Sequence, residues 1–312
     1  MKAIPSYGKV LTLGSAFTEN ALVGPIVMQE KVDGSLFAFG INEDGQVVMR
    51  SKSAVLTEDN YAEMFKEVVE YTQTLYDRLR FHVPLDTYFY CEYLQKPKHN
   101  TLKYRRIPTN HLVLFDVVEK GKYADRERLE KLAKIMDIEV IPEFWRGDAV
   151  SYVKEDLIKR IIETTTSFLG DEIVEGIVIK NYDQTILLGG SIFPLFTKYV
   201  RESFKERHEA DWKIRQPKSS LQDYVEGFRA EARWQKAVIH AREQGKLEQS
   251  PRDIGFLIKK IQEDIKEEET ENIKNHLYKC FIDDILRKSV QKFPEWYKEQ
   301  LLKNLNTGEV SK

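Results

Sequence analysis

Glu30-Lys31-Val32-Asp33-Gly34-Ser35 lies near the start of a 312-residue chain and sets a lysine two residues before an Asp-Gly turn. A lysine amine has an ordinary pKa near ~10.4, so at neutral pH it attacks an electrophile only where nearby cations or desolvation favour its neutral form. The turn would present that amine to a pocket. Taken alone, Lys-x-Asp-Gly-Ser also describes an ordinary surface hairpin, so the other parts of a pocket have to be found elsewhere in the chain. A lysine that takes up a nucleotidyl group needs cations and a metal around the phosphate, because charge builds there as pyrophosphate leaves. It also needs one aromatic face and a few polar groups in an apolar cleft to hold the base.

Those residue types follow in order, each on a segment that reads as strand or strand end. Val47-Val48-Met49-Arg50-Ser51-Lys52 comes first, then Tyr88-Phe89-Tyr90-Cys91-Glu92-Tyr93-Leu94 and Leu112-Val113-Leu114-Phe115-Asp116-Val117. Val174-Glu175-Gly176-Ile177-Val178-Ile179-Lys180 and Phe196-Thr197-Lys198-Tyr199-Val200-Arg201 complete the series. Lys31, Arg50, Lys180, Lys198 and Glu175 supply the cations and the metal-binding carboxylate, while Phe115 and Glu30 suit the base. Phe115 also reads as a core aromatic, because a continuous apolar run packs on both faces. Glu92 and Glu175 interrupt apolar strands, where a carboxylate is either paired or functional.

Over roughly residues 10 to 206 the chain resembles the covalent nucleotidyltransferases, the superfamily of ATP-dependent ligases and capping enzymes, and within it the RNA ligases most closely. The resemblance implies a nucleotidyltransferase (ATP-grasp-like ligase) domain of antiparallel sheets flanked by helices, an α+β fold. It implies that Lys31 forms a lysyl-AMP, that Glu92 holds the ribose, that Phe115 stacks on adenine and that Glu175 places Mg2+ or Mn2+. Lys180 and Lys198 would touch the phosphates of ATP, and Arg50 would lie near the nucleotide and the RNA end, with Lys52 beside it. The chain departs from the pattern in three places. Lys198-Tyr199-Val200-Arg201 replaces a Lys-x-Lys, leaving Arg201 as the candidate second cation. Cys91 stands where a glycine is common, and Leu36 where some members that seal nicks in duplex RNA carry asparagine.

Between Gln95 and Pro108 the cations Lys96, Lys98, Lys103, Arg105 and Arg106 accompany His99 and Tyr104. Lysine and arginine neutralise phosphates and exposed aromatics stack on splayed bases, so the stretch reads as a loop that contacts RNA or a triphosphate; the bland alternative is a solvated basic turn. Overall charge gives no such hint: 48 Lys and Arg against 50 Asp and Glu leave a net −2, so attraction to RNA must come from a local face.

The elements that position these residues are also legible. Up to about residue 200, short Val/Ile/Phe/Tyr runs alternate with turns such as Asn42-Glu43-Asp44-Gly45, interrupted by helical stretches near 58–80, 125–136 and 150–168. Beyond Phe204 the strands stop, and Gln216-Pro217-Lys218-Ser219-Ser220 marks a linker or helix start. The expected division is an adenylyltransferase domain over 1–208 and a helical C-terminal domain over 209–312. In the latter, Ile254, Leu257, Ile258, Ile261 and Ile265 share a helical face, Leu277, Phe281 and Ile285 continue the pattern on a next helix, and Ser250-Pro251-Arg252-Asp253 caps the first. The acidic run 263–269 reads as a solvated face. A helical rather than β-rich appendage favours an RNA ligase over a DNA ligase or a capping guanylyltransferase; a non-catalytic nucleotide- or RNA-binding module is the other alternative. RNA ends are the expected partner. No apolar run approaches the ~18 residues of a membrane span, Met1-Lys2-Ala3-Ile4-Pro5 lacks a signal-peptide core, and two distant cysteines, Cys91 and Cys280, form no metal-ligand spacing. The expected location is the cytoplasm, that of an infected host if the protein is viral.

Overall fold

A computed structural model describes residues 4–307 apart from 16, 53, 58–59, 150–154, 189 and 206–220. The linker expected at 216–220 lies outside the described residues. In chain order the elements are β1 (Val10–Thr12), β2 (Pro25–Lys31), β3 (Ser35–Ile41), β4 (Val47–Ser51), β5 (Val55–Leu56), α1 (Lys66–Leu79), β6 (Thr87–Tyr93), β7 (Leu112–Glu119), β8 (Lys122–Tyr123), α2 (Arg126–Met136), β9 (Glu139–Val140), β10 (Glu143–Asp148), α3 (Glu155–Thr164), β11 (Gly176–Leu188) and β12 (Ser191–Val200). Four helices follow: α4 (Leu221–Glu226), α5 (Glu231–Glu243), α6 (Asp253–Ser289) and α7 (Phe293–Thr307). The fold is α+β.

Two sheets carry the first part of the chain. One runs β1-β12-β11-β2-β10 and the other β5-β4-β3-β6-β7-β8, with β9 beside β7. Pairing is antiparallel except at the short β1–β12 and β7–β9 contacts. Each sheet buries one face under helices, as a half-buried amphipathic strand requires. Ile26, Met28, Ile177 and Ile179 pack with Ile158 and Ile162 of α3. In the second sheet Phe37, Phe39, Phe89 and Leu114 pack with Val68 and Leu75 of α1 and Leu132 of α2. The Asn42–Gly45 turn forms as its residues dictate: Asn42 Oδ1 accepts from Asp44 N at 3.0 Å and Gln46 N at 2.8 Å, and Gly45 takes φ +76°.

The chain divides into two compact units, one of Met1–His208 with Phe228–Ile261 and one of Glu209–Gly227 with Gln262–Lys312. The first unit thus takes in α5, beyond the expected boundary at 208, because Ala237, Ala241 and Arg233 of that helix are buried. The expected pair of helices after residue 250 is a single one: α6 runs for 37 residues, with no proline and no interior glycine beyond Gly255 to end it. Its start is capped as expected, Ser250 Oγ accepting from Arg252 N at 3.2 Å and Asp253 Oδ2 from Ser250 N at 3.2 Å. The periodic apolar positions are not a closed core, since Ile254, Ile258, Phe281 and Ile285 are each at least half exposed. Glu269, in the run expected to be solvated, is buried.

Candidate functional site

Register fixes which residues share a face. Lys31 pairs with Gly176 and Val27 with Lys180 across β2 and β11, while Val178 pairs with Lys198 across β11 and β12. Side chains alternate along a strand, so Lys31, Lys180 and Lys198 fall on one face, opposite the Ile177 and Ile179 core. Glu30 pairs with Ile177 and lies on the core side. Its carboxylate accepts from Ser167 Oγ and from Phe168 N at 3.2 Å, and burial raises its pKa. Glu30, suggested for the base by the sequence, therefore braces the loop after α3, on the opposite face of the sheet from Lys31.

Glu175, directly before β11, meets Lys31 Nζ with one oxygen at 2.8 Å and the other at 2.7 Å. Gly176 lets β12 lie close against the start of β11, for a Cβ there would lie 2.3 Å from Tyr199 O. Burial pulls the Lys31 amine down, but the Glu175 carboxylate, with Glu92 and Asp33, leaves it above its ordinary value. Burial holds the Glu175 carboxyl above its ordinary value, with Lys31 and, more weakly, Lys198 pulling against it. Glu92, on β6 opposite Leu36, reaches the same place because Gly34 has no side chain: a Cβ there would stand 2.6 Å from Glu92 Cγ. Burial pushes the Glu92 carboxyl up to about 8, with Lys31 opposing and Glu175, Glu243 and Asp33 adding to it.

A β-bulge at Phe115 puts Asp116 on the same side of β7 as its ring. Tyr90 pairs with Asp116 and Cys91 with Leu114, which leaves Phe115 as the extra residue of β7. Leu114 keeps to the helix-covered core, whereas Phe115 is only partly buried and packs among Tyr7, Tyr90 and Val113. Behind it lies a polar cluster that sequence reasoning missed. Lys180 Nζ donates to Asp116 Oδ2 at 2.7 Å and to Phe115 O at 2.9 Å, and it sits 4.9 Å from the Phe115 ring centroid. Tyr7 and Tyr182 also donate their hydroxyls to Asp116. The Lys180 and Asp116 side chains are each 2% exposed. Lys180 is thus committed beneath the aromatic face and is not presented to a phosphate as the sequence reading expected. A carboxylate inside the apolar run of β7 was the available signal for Asp116.

The remaining candidates separate. Arg50 donates to Ile4 O and Ser6 Oγ, both at 2.9 Å, and to Ser51 O at 3.1 Å, which ties the N-terminal segment over β4. Lys52 is exposed and lies 3.2 Å from His240 Nε2. Arg201 donates to Ile173 O at 3.0 Å and its backbone N to Glu175 O at 3.0 Å, so the suggested second cation braces the Glu175 segment. Lys96, Lys98, Lys103 and Arg105 are exposed. Arg106, grouped with them in the sequence, makes a two-pronged pair with Glu139 at 2.7 and 2.8 Å and is a structural tie. Among the described residues no group of three or more His, Cys, Asp or Glu is arranged to hold a metal ion by itself. One carboxylate beside a phosphate site does suit Mg2+, which keeps waters and takes substrate oxygens as its other ligands.

A family model described as RNA ligase matches residues 24–200, more than half of the chain. The chain belongs to the RNA ligase family. Among solved structures, this RNA ligase family member is similar to a Naegleria gruberi RNA ligase determined with PPi, at TM-score 0.48 and 14% identity over 65% of this chain and 58% of that one. An archaeal ATP-dependent RNA ligase is similar at TM-score 0.44 and 15% identity, over 87% of this chain and 66% of that one. The chain spans 58% of the length of the Naegleria chain it matches. No curated protein matches it. No described helix is long and apolar enough to cross a membrane.

Proposed function

We propose that this protein is an ATP-dependent RNA ligase that joins an RNA 5′-phosphate to a 3′-hydroxyl through a lysyl-AMP. The observation that carries the reading is the contact of Lys31 Nζ with Glu175 at 2.7 Å, on the sheet face that also holds Lys198 and with Glu92 close by. In the first step Lys31 Nζ gives up a proton, for which the Glu175 oxygens are the nearest acceptors. Its electron pair then attacks the α-phosphorus of ATP, the N–P bond forms, and the bond to pyrophosphate breaks. Lys198 offsets the charge that builds on the phosphate. Phe115, backed by Lys180 and Asp116, is the platform for the base, and Glu92, with its carboxyl pushed up to about 8, is a hydrogen-bond donor or acceptor for the ribose. Glu175 would hold Mg2+, or Mn2+, which supplies charge neutralisation at the phosphates when bound. An RNA 5′-phosphate oxygen next displaces Lys31 from the AMP phosphorus. A 3′-hydroxyl finally attacks the adenylylated end, forms the phosphodiester and releases AMP. The exposed cations Lys96, Lys98, Lys103 and Arg105 face RNA phosphates, with Lys52 on the neighbouring strand end.

The test is incubation with Mg2+ and ATP labelled on the α-phosphate, or GTP labelled likewise, followed by denaturation. Label from ATP on the wild type and none on Lys31→Ala is the expected result, with subsequent sealing of RNA but not DNA ends. Label from GTP alone would make the protein a capping-type enzyme, and no label from either nucleotide would leave a binding module.

A further inference from the structure

The turn that follows Lys31 is gripped by a second loop. Asp33 Oδ2 accepts from Thr101 N and Leu102 N, both at 2.7 Å. Asn100 Nδ2 donates to Gly34 O at 2.7 Å. His99 Nδ1 lies 3.0 Å from Gln95 N, a group that can only donate. The neutral ring therefore carries its proton on Nε2 and donates it to Ser35 Oγ at 2.9 Å. Three consecutive turn residues, Asp33, Gly34 and Ser35, are thus held by 99–102.

That loop is held in turn by α5. Arg242 Nη2 donates to Asn100 Oδ1 at 2.6 Å and to His99 O at 3.2 Å. About two helical turns before it, Gln235 Oε1 accepts from Thr101 Oγ1 at 3.4 Å. The next residue after Arg242, Glu243, is buried and hydrogen-bonds Ser35. Asn100 is the hinge of the arrangement, accepting from the helix through its oxygen and donating to the lysine turn through its nitrogen.

We infer that α5 sets the reactive geometry of Lys31, with Arg242 as a positioning residue that acts through Asn100 and Gly34. The inference rests on the reading of Lys31 as the group that accepts AMP. A nucleophile displaced by about 1 Å loses on the order of a hundredfold in rate while the nucleotide's own contacts are untouched. Binding and attack therefore separate.

The experiment is single-turnover formation of lysyl-AMP on the full chain, measured against ATP concentration, for the wild type, Arg242→Ala, Asn100→Ala, the double variant and Arg242→Lys. The expected result is a maximal rate reduced about 10- to 100-fold in each alanine variant, with half-saturating ATP unchanged. The double variant should be no slower than the slower single one, because both break the same relay, and Arg242→Lys should recover part of the rate by reaching one of the two acceptors. An unchanged maximal rate, a loss confined to half-saturation, or single effects that multiply would overturn the inference. If Arg242→Ala melts at assay temperature, Asn100→Ala carries the same test, since it removes only a loop side chain. A wild type that takes no label overturns the reading of Lys31 itself, whereas a labelled wild type with undiminished variants overturns the α5 relay alone.

Discussion

His99 provides a prediction with a worked size and sign. Its ring is 3% exposed, and burial, with Arg242 and Lys96 adding to it, lowers its pKa from 6.5 to about 4. The unfolded chain restores the ordinary value of ~6.5. Between these values the unfolded state binds a proton that the folded state refuses, so stability rises with pH in this window and is lost as the solution is acidified. A gap of about 2.5 pH units at ~1.4 kcal/mol each gives a loss of about 3 kcal/mol between pH 6.5 and 4, levelling off once the folded ring also protonates. Glu243 reaches the ring only through Ser35, and the other titrating groups are common to wild type and variant. The assay is therefore a difference: urea unfolding free energies of wild type and His99→Gln across pH 4 to 7.5. Glutamine does not titrate, so the wild type's advantage at neutral pH should shrink by about 3 kcal/mol on acidification to pH 4. A difference that is flat across the range, or that grows as pH falls, would refute a buried neutral His99.

Asp116→Asn should leave Lys180 buried without its counter-charge and destabilise the protein by about 3–5 kcal/mol in urea unfolding, since one of the two oxygens that accept from Tyr7 and Tyr182 becomes an amide that can only donate. Phe115→Ala should weaken ATP binding about 5- to 100-fold, worth ~1–3 kcal/mol of stacking, as read from the half-saturation of lysyl-AMP formation; a loss of melting temperature with unchanged half-saturation would return Phe115 to the core. Joint replacement of Lys96, Lys98, Lys103 and Arg105 by alanine should weaken RNA binding and lower the salt slope by roughly 0.7 for each RNA phosphate that these side chains no longer neutralise. Arg106→Ala, by contrast, should leave that slope unchanged and cost stability through Glu139.

The meeting of Lys31 with two carboxylates and the α+β pattern were legible because each depends on local residue type: a carboxylate inside an apolar strand is conspicuous wherever the strand ends up. The same rule, applied to Asp116, would have exposed the cluster that claims Lys180, but its neighbour Phe115 drew the reading to the base. That Glu30 lies on the core side was within reach of strand geometry, since adjacent residues on a strand point to opposite faces and Lys31 takes the other one. The single helix α6 was also within reach, because nothing between 256 and 289 breaks a helix. Arg106 could not be told from its four cationic neighbours, since its partner Glu139 is far along the chain. The role of α5 was out of reach for the same reason: Arg242 and Asn100 are 142 residues apart, and no periodicity records such a pair.

The bulge at Phe115 shows how one extra residue makes a site from an ordinary strand. In a regular β7, Leu114 and Asp116 would share a face and Phe115 would take the other. The inserted residue shifts the register between Cys91 and Tyr90, so Leu114 stays with the helix-covered core while Phe115 and Asp116 both turn to the cleft side. A buried aspartate on that side requires a cation, and Lys180 on the facing strand β11 supplies it at 2.7 Å. The ammonium then lies beneath the aromatic ring and ties β7 to β11. The partly exposed ring is therefore fixed from behind by a buried ion pair.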